Sequence, residues 1–421
     1  MPSLALRGGQ PAVAASLPRT SWPIVTAADR EAVLRVLDRK ILWAQTRPDG
    51  LYAPEQSALE REFADFVGAK HALAVNGGTA GLHMALVAAG VEPGDEVITS
   101  AFSFLATPAA ILHAGAVPVF VDIDPRTFNI APEQIEAKIT PRTRALMVVD
   151  IHGLCADFAP IEALCRKHNL ILTEDACQAP GATYHGRGAG AIGVTSGFSV
   201  NGTKNFAVGE GGFMVTNDDE AYYKANWVKQ VGETLPASDR TMQYQHLLAW
   251  NYRVQELPCA FARSQLSRLA EVNATAQRNA AILAEYLKDL PGVRAPYVPE
   301  GLVSVFHKYR ILLVAEELDT QLRGAALRNA FMQALTAEGV DVDTWGSAPL
   351  CEHPMIKARF PQDGAAHYPA TVAMFANSFC LTNDEFPIYA QPAERIHAYG
   401  EALRKVARHA ADLGETRAAG G

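Results

Sequence analysis

Hydrophobic and polar positions follow two periods along this chain. Residues 27–40 carry Val33, Leu34, Val36 and Leu37 in a helical stripe, and residues 56–67 repeat it with Leu59, Phe63 and Phe66. Short apolar runs come next, at residues 71–75, 96–99, 117–121, 146–149 and 170–173. Runs so short and so uniformly apolar predict buried parallel strands. Helical patterns lie between and after them, at 80–89, 105–113, 132–139 and 158–168. Repeated strand–helix order predicts an α/β fold, with a mainly parallel sheet flanked by helices on both faces.

The C-terminal third has a different rhythm. Residues 257–287 read as one or two amphipathic helices, 306–312 as a strand, 323–338 and 390–408 as helices, with a proline-rich stretch at 349–361. The expected division is a flexible N-terminal arm at 1–20, loose enough to pack on a partner subunit, a large domain at 21–255, linking helices at 256–290 and a small α+β domain at 291–421. Residues 43–54 are expected to be a surface loop or a flap over the site, and 414–421 to be frayed.

Composition narrows the function classes. The chain has 421 residues, 49% hydrophobic and 19% charged, enough for a large core. A net charge of −8 with scattered basic residues gives no footprint for nucleic acid or anionic lipid. Six cysteines without CxxC spacing suggest buried thiols rather than disulfides or a metal site, and Cys177 in particular reads as a packed thiol. No apolar run approaches the ~20 residues of a membrane span. Together these favour a cytoplasmic protein.

Chemistry concentrates where the predicted strands end. Leu170-Ile171-Leu172 runs into Thr173-Glu174-Asp175, which delivers an acid to the carboxyl edge of the sheet, where ligands gather. Further on, Asn201-Gly202-Thr203-Lys204 sets a lysine in a polar turn before Gly209-Glu210-Gly211-Gly212. A strand-end acid is ordinarily a helix cap and a lone lysine ordinarily a solvated one. Jointly they suggest pyridoxal 5'-phosphate, which needs an amine for its aldehyde and a carboxylate for its pyridine nitrogen. Asn76-Gly77-Gly78-Thr79, between a strand and a helix, suits a phosphate. Phe102-Ser103-Phe104, at the same edge, offers an aromatic that could stack on a flat ring.

The motifs Gly78-Thr79-Ala80, Gly94-Asp95-Glu96-Val97-Ile98, Phe120-Val121-Asp122-Ile123-Asp124, Ile139-Thr140-Pro141-Arg142-Thr143, Glu174-Asp175-Ala176 and 204–212 occur in one order. In that order they resemble the DegT/DnrJ/EryC1/StrS aminotransferases, fold-type I enzymes that use pyridoxal phosphate to aminate keto-sugars and keto-cyclitols. The resemblance spans roughly residues 55–270. It implies that Lys204 is the Schiff-base lysine and proton shuttle, Asp175 the partner of the pyridine nitrogen and Phe104 the stacking ring. It further implies that Gly78, Thr79 and Ser199 hold the phosphate, that Gln178 lies near the phenolic oxygen, and that Asn251 reaches the phosphate of a neighbouring subunit in a homodimer with shared active sites.

Departures from the family pattern bear on substrate. Asp150 stands where His is usual and His152 near a common Tyr, while His307 falls where relatives bring a His toward substrate; all three are expected to face the substrate. Lys229-Gln230-Val231-Gly232 replaces a motif typical of nucleotide-sugar enzymes. The expected activity is ping-pong transfer of an amino group from glutamate or glutamine to a keto-sugar, keto-cyclitol or related small carbonyl, with a lean toward one without a nucleotide. The alternatives are a pyridoxal-phosphate lyase or dehydratase, an aminotransferase for a nucleotide-diphosphate keto-sugar, and a non-enzymatic regulator.

Overall fold

The computed structural model describes residues 3–43, 53–234, 243–244 and 248–414. The expected flap at 43–54 and the frayed end at 414–421 fall almost entirely outside these residues. Helices α1 (Ala27–Arg39) and α2 (Pro54–Val67) open the fold. Thr26 and Asp29 form a reciprocal capping box on α1. No side chain of its own caps α2. Instead Glu256, from far along the chain, accepts the amides of Glu55 and Gln56 at 3.0 and 2.9 Å.

The central sheet has seven strands: β1 (His71–Val75), β2 (Glu96–Ser100), β3 (Val117–Val121), β4 (Thr143–Val149), β5 (Ile171–Asp175), β6 (Thr195–Ser199) and β7 (Gly212–Thr216). Their spatial order is β1-β7-β6-β5-β4-β2-β3, and β7 alone runs against the others. Helices α3 (Gly78–Ala88), α4 (Ala106–His113) and α5 (Phe158–His168) follow β1, β2 and β4, and α6 (Asp219–Lys229) follows β7. The expected helix at 132–139 is two short 3-10 turns, Pro132–Gln134 and Glu136–Lys138. Buried Ile135 joins them, and neither has a side-chain cap to support a longer helix.

One helix ties the molecule together. The 32-residue α7 (Glu256–Leu287) is single where one or two were expected. Cys259, Ala262, Leu266 and Leu269 belong to the core of the large sheet, and Ala276, Ala280, Leu283 and Leu287 to a second core. That second core lies against a four-stranded antiparallel sheet of β8 (Val293–Arg294), β9 (Tyr309–Leu313), β10 (Val342–Asp343) and β11 (Ser378–Leu381). In the first core Phe63 is fully buried and stacks on Phe213 with ring centroids 3.9 Å apart.

The N-terminal segment, expected as a loose arm, is fastened to its own chain. Leu4, Val13 and Trp22 are buried in the second core. The Glu338 carboxylate accepts the amides of Ala5 and Ala12, each at 2.8 Å. Among the described residues, no helix is long and apolar enough to cross a membrane.

Candidate active site

β5 lies between β4 and β6, so its side chains alternate between two covered faces. Glu174 turns to one face and accepts amides from Gly190 and Ile192, each at 2.7 Å, and from Gly193. Burial raises its pKa to about 7 against the pull of those amides. Asp175 turns the other way at the end of the strand. Its Oδ2 accepts from Thr107 Oγ1 at 2.6 Å and its Oδ1 from the Cys177 amide at 3.2 Å.

Lys204 is held through its backbone. After β6 the chain folds on Asn201, whose Oδ1 accepts from the Thr203 amide at 3.1 Å and hydroxyl at 3.0 Å, while the Lys204 amide donates to Asn201 O at 2.9 Å. Two distant aromatics close over this turn. Trp22 Nε1 donates to Lys204 O at 3.0 Å, and Tyr389 OH to Thr203 O at 2.8 Å. Their rings meet edge to face at 5.0 Å. The amine of half-buried Lys204 is pushed below its ordinary pKa by burial first, against the attraction of Cys177 and Asp175, with Lys308 adding to the lowering.

The start of α3 forms a cradle. Gly77 occupies the N-cap and no side chain caps the helix, so its first amides point outward without a partner from that position. A Cβ on Gly78 would lie 2.7 Å from Ser199 Cβ, and one on Gly212 would lie 2.8 Å from the Gly78 nitrogen. Only glycines let these three backbones meet. Thr79 is half-buried in the first turn. Phe104, in the loop after β2, leaves 62% of its surface exposed at this edge.

Gln178 is buried, and its Oε1 accepts the His152 amide at 2.9 Å, which leaves the carboxamide NH2 to donate. His152 has a left-handed backbone (φ 57°), and its Nε2 accepts from Arg310 Nε at 3.0 Å. An arginine only donates, so His152 carries its proton on Nδ1. His307 is buried, with Nδ1 3.3 Å from Oδ1 of Asn205, the neighbour of Lys204 in sequence. Burial keeps both histidines well below the ordinary range. Asn251 is exposed, and its carbonyl accepts from Asn76 Nδ2 at 3.3 Å, beside the glycines of the cradle.

Asp150, expected to face the substrate, follows β4 directly, and its amide donates to Asp175 O at 3.0 Å. It is fully buried, Oδ1 accepts the Ala156 amide at 3.1 Å, and Oδ2 has no partner. Burial first, then the Glu174 charge, raise its pKa well above the carboxylate range. Thr107, Trp22, Tyr389 and Lys308 went unflagged in the sequence reading. Thr107 left a trace, as a hydroxyl in the first turn of a mostly apolar helix; the others reach the site only through the tertiary fold.

The residues present fit pyridoxal phosphate: an uncapped helix start for phosphate, an exposed flat ring, a strand-end carboxylate and a half-buried amine share one edge. A family model for DegT/DnrJ/EryC1/StrS aminotransferases matches residues 42–385. The GDP-perosamine synthase of Caulobacter vibrioides is 37% identical over 343 residues, 80% of this chain and 86% of that one. A putative L-glutamine:3-amino-2,3-dideoxy-scyllo-inosose aminotransferase of Micromonospora echinospora is 34% identical over 340 residues, 81% of this chain and 78% of that one. The crystal structure of 3-amino-5-hydroxybenzoic acid synthase superposes with a TM-score of 0.80 at 28% identity, covering 92% of this chain and 98% of the other.

Proposed function

Because the chain belongs to the DegT/DnrJ/EryC1/StrS aminotransferase family, a pyridoxal-phosphate family of sugar and cyclitol aminotransferases, we propose that it moves an amino group from glutamate or glutamine to a small cyclitol or sugar ketone in two half-reactions. The observation that carries this is the convergence of Lys204 and Asp175 on the edge where α3 begins uncapped. When bound, the cofactor supplies an aldehyde that takes up the amino group and a ring that draws electrons from the substrate carbon.

The chain's own residues do the rest. Lys204 Nζ, made less basic by burial, takes the proton from the substrate carbon and returns it on the other side of the transfer. Asp175 would hold the pyridine nitrogen, Phe104 would stack on the ring, and the Gly78 and Thr79 amides with Ser199 would hold the phosphate. The free NH2 of Gln178 would donate to the phenolic oxygen. His152 and His307, neutral by burial, line the substrate side as hydrogen-bonding groups without charge.

Two chains pair, and Asn251 of each completes the phosphate site of the other. The relatives' names divide between a nucleotide-sugar enzyme and a cyclitol enzyme. The replacement at 229–232 favours an acceptor without a nucleotide.

The test is an absorbance titration with pyridoxal phosphate, before and after glutamate or glutamine, with Lys204→Ala alongside. A visible band in the wild type that a donor bleaches, and that a cyclitol ketone restores faster than a nucleotide-diphosphate keto-sugar, supports the reading. A band that no donor changes points to a lyase, and no band at all overturns the proposal.

A further inference from the structure

Asp175 is held by more than its strand. Thr107 is fully buried and gives its hydroxyl proton to Asp175 Oδ2 at 2.6 Å. Ser103 Oγ lies 2.7 Å from Thr107 Oγ1. A hydroxyl has one proton to give; with that of Thr107 spent on Asp175, Thr107 accepts from Ser103. The chain of hydroxyls therefore runs one way, from Ser103 through Thr107 to the carboxylate. The Cys177 amide donates to Oδ1, and the Cys177 thiol lies against the same carboxylate.

The same short stretch carries the exposed aromatic ring. Ser103 precedes Phe104, and the Thr107 amide donates to Phe104 O at 3.2 Å. We propose that Ser103 and Thr107 are positioning residues that set Asp175 toward the pyridine nitrogen and Phe104 against the ring, so that the two grips on the cofactor act together. This rests on the reading above, in which Asp175 and Phe104 hold pyridoxal phosphate. Valine matches threonine in shape but lacks the hydroxyl. It leaves Asp175 Oδ2 buried without a donor and cuts Ser103 off from the acid.

Equilibrium titration with pyridoxal phosphate tests the idea. Thr107→Val is expected to weaken binding by about ten- to a hundredfold, as for loss of a hydrogen bond to a charged group. Thr107→Ser, which keeps the hydroxyl, restores it to within about threefold. In the double variant with Phe104→Ala, the loss falls short of the product of the single losses, a coupling that a merely structural role does not produce.

If the wild type binds the cofactor and Asp175→Asn weakens it, yet Thr107→Val binds with unchanged affinity and spectrum, this proposal alone is overturned. If Asp175→Asn leaves binding untouched, the underlying reading fails first. Should Thr107→Val not fold, the Ser103→Ala and Phe104→Ala cycle decides: coupled losses support the chain of hydroxyls, and independent losses overturn it.

Discussion

Two aspartates end neighbouring strands of one sheet, and their surroundings make them different groups. Val149, before Asp150, pairs with Asp175 in the ladder, and the Asp150 amide donates to Asp175 O at 3.0 Å. Asp175 meets a hydroxyl and an amide at the edge of the sheet. Asp150 is fully buried, with one carboxyl oxygen lacking any partner, and burial drives it toward its protonated form. A strand end offers a place for chemistry, and the elements packed around it decide whether the place is used. Phe102 and Phe104, two residues apart, repeat the lesson: Phe102 is 2% exposed and Phe104 62%.

The strongest break comes from Lys204, whose amine feels the Asp175 charge. Lys204→Ala is expected to cut turnover by about four orders of magnitude, since in the proposed reading it removes both nucleophile and proton carrier. Asp175→Asn keeps the shape but loses the charge and can accept only one of the two donors, Thr107 Oγ1 or the Cys177 amide, and costs about 10²–10³-fold in turnover. Steady-state kinetics with thermal melting separates these losses from unfolding, and a Lys204→Ala variant with near-wild-type turnover sinks the assignment. Among the phenylalanines the readouts exchange places. Phe102→Ala removes a buried ring 5.3 Å from Phe375 and 5.4 Å from His152, and costs about 3–5 kcal/mol of stability. Phe104→Ala leaves the melting temperature nearly unchanged and weakens cofactor binding by about tenfold, the worth of one aromatic stack. Denaturant unfolding and cofactor titration on both variants check the exchange.

Much of this arrangement was legible because parallel strands and their carboxyl ends are written locally. The runs at His71–Val75, Val117–Val121 and Phe158–His168 coincide with structural elements to the residue, since apolar period and flanking Gly, Asn or acid agree there. Lys204 and Asp175 stood out because their residue types and motif context carry chemical meaning. What stayed hidden is what arrives through the tertiary fold. Trp22 and Tyr389 clamp the lysine turn from opposite ends of the chain, and Glu338 anchors the N-terminal segment through amides of Ala5 and Ala12. Nothing local to those residues names a partner more than 180 positions away. The burial of Asp150 was hidden for a related reason: its polarity is local, but its burial is set by what packs around β4.

The smallest expected effect tests the first comparison most directly. Folded Asp150 keeps its proton to a higher pH than the unfolded chain does, because burial and the Glu174 charge disfavour its carboxylate. Between the ordinary carboxyl pKa of 3.8 and the raised folded value, the native state therefore binds more protons than the unfolded state, and stability falls as pH rises through that window. Asp150→Asn keeps the shape and has no proton to retain. Its stability relative to wild type is accordingly expected to be even near pH 4 and to improve toward pH 8, while turnover stays within about threefold. Thermal melts of both proteins across that range, with kinetics at each pH, read this out. A variant that melts with the wild-type pH profile shows that Asp150 is not held protonated, and one that loses turnover tenfold or more shows that it acts on substrate as Asp175 acts on the cofactor, which would erase the difference between the two strand ends.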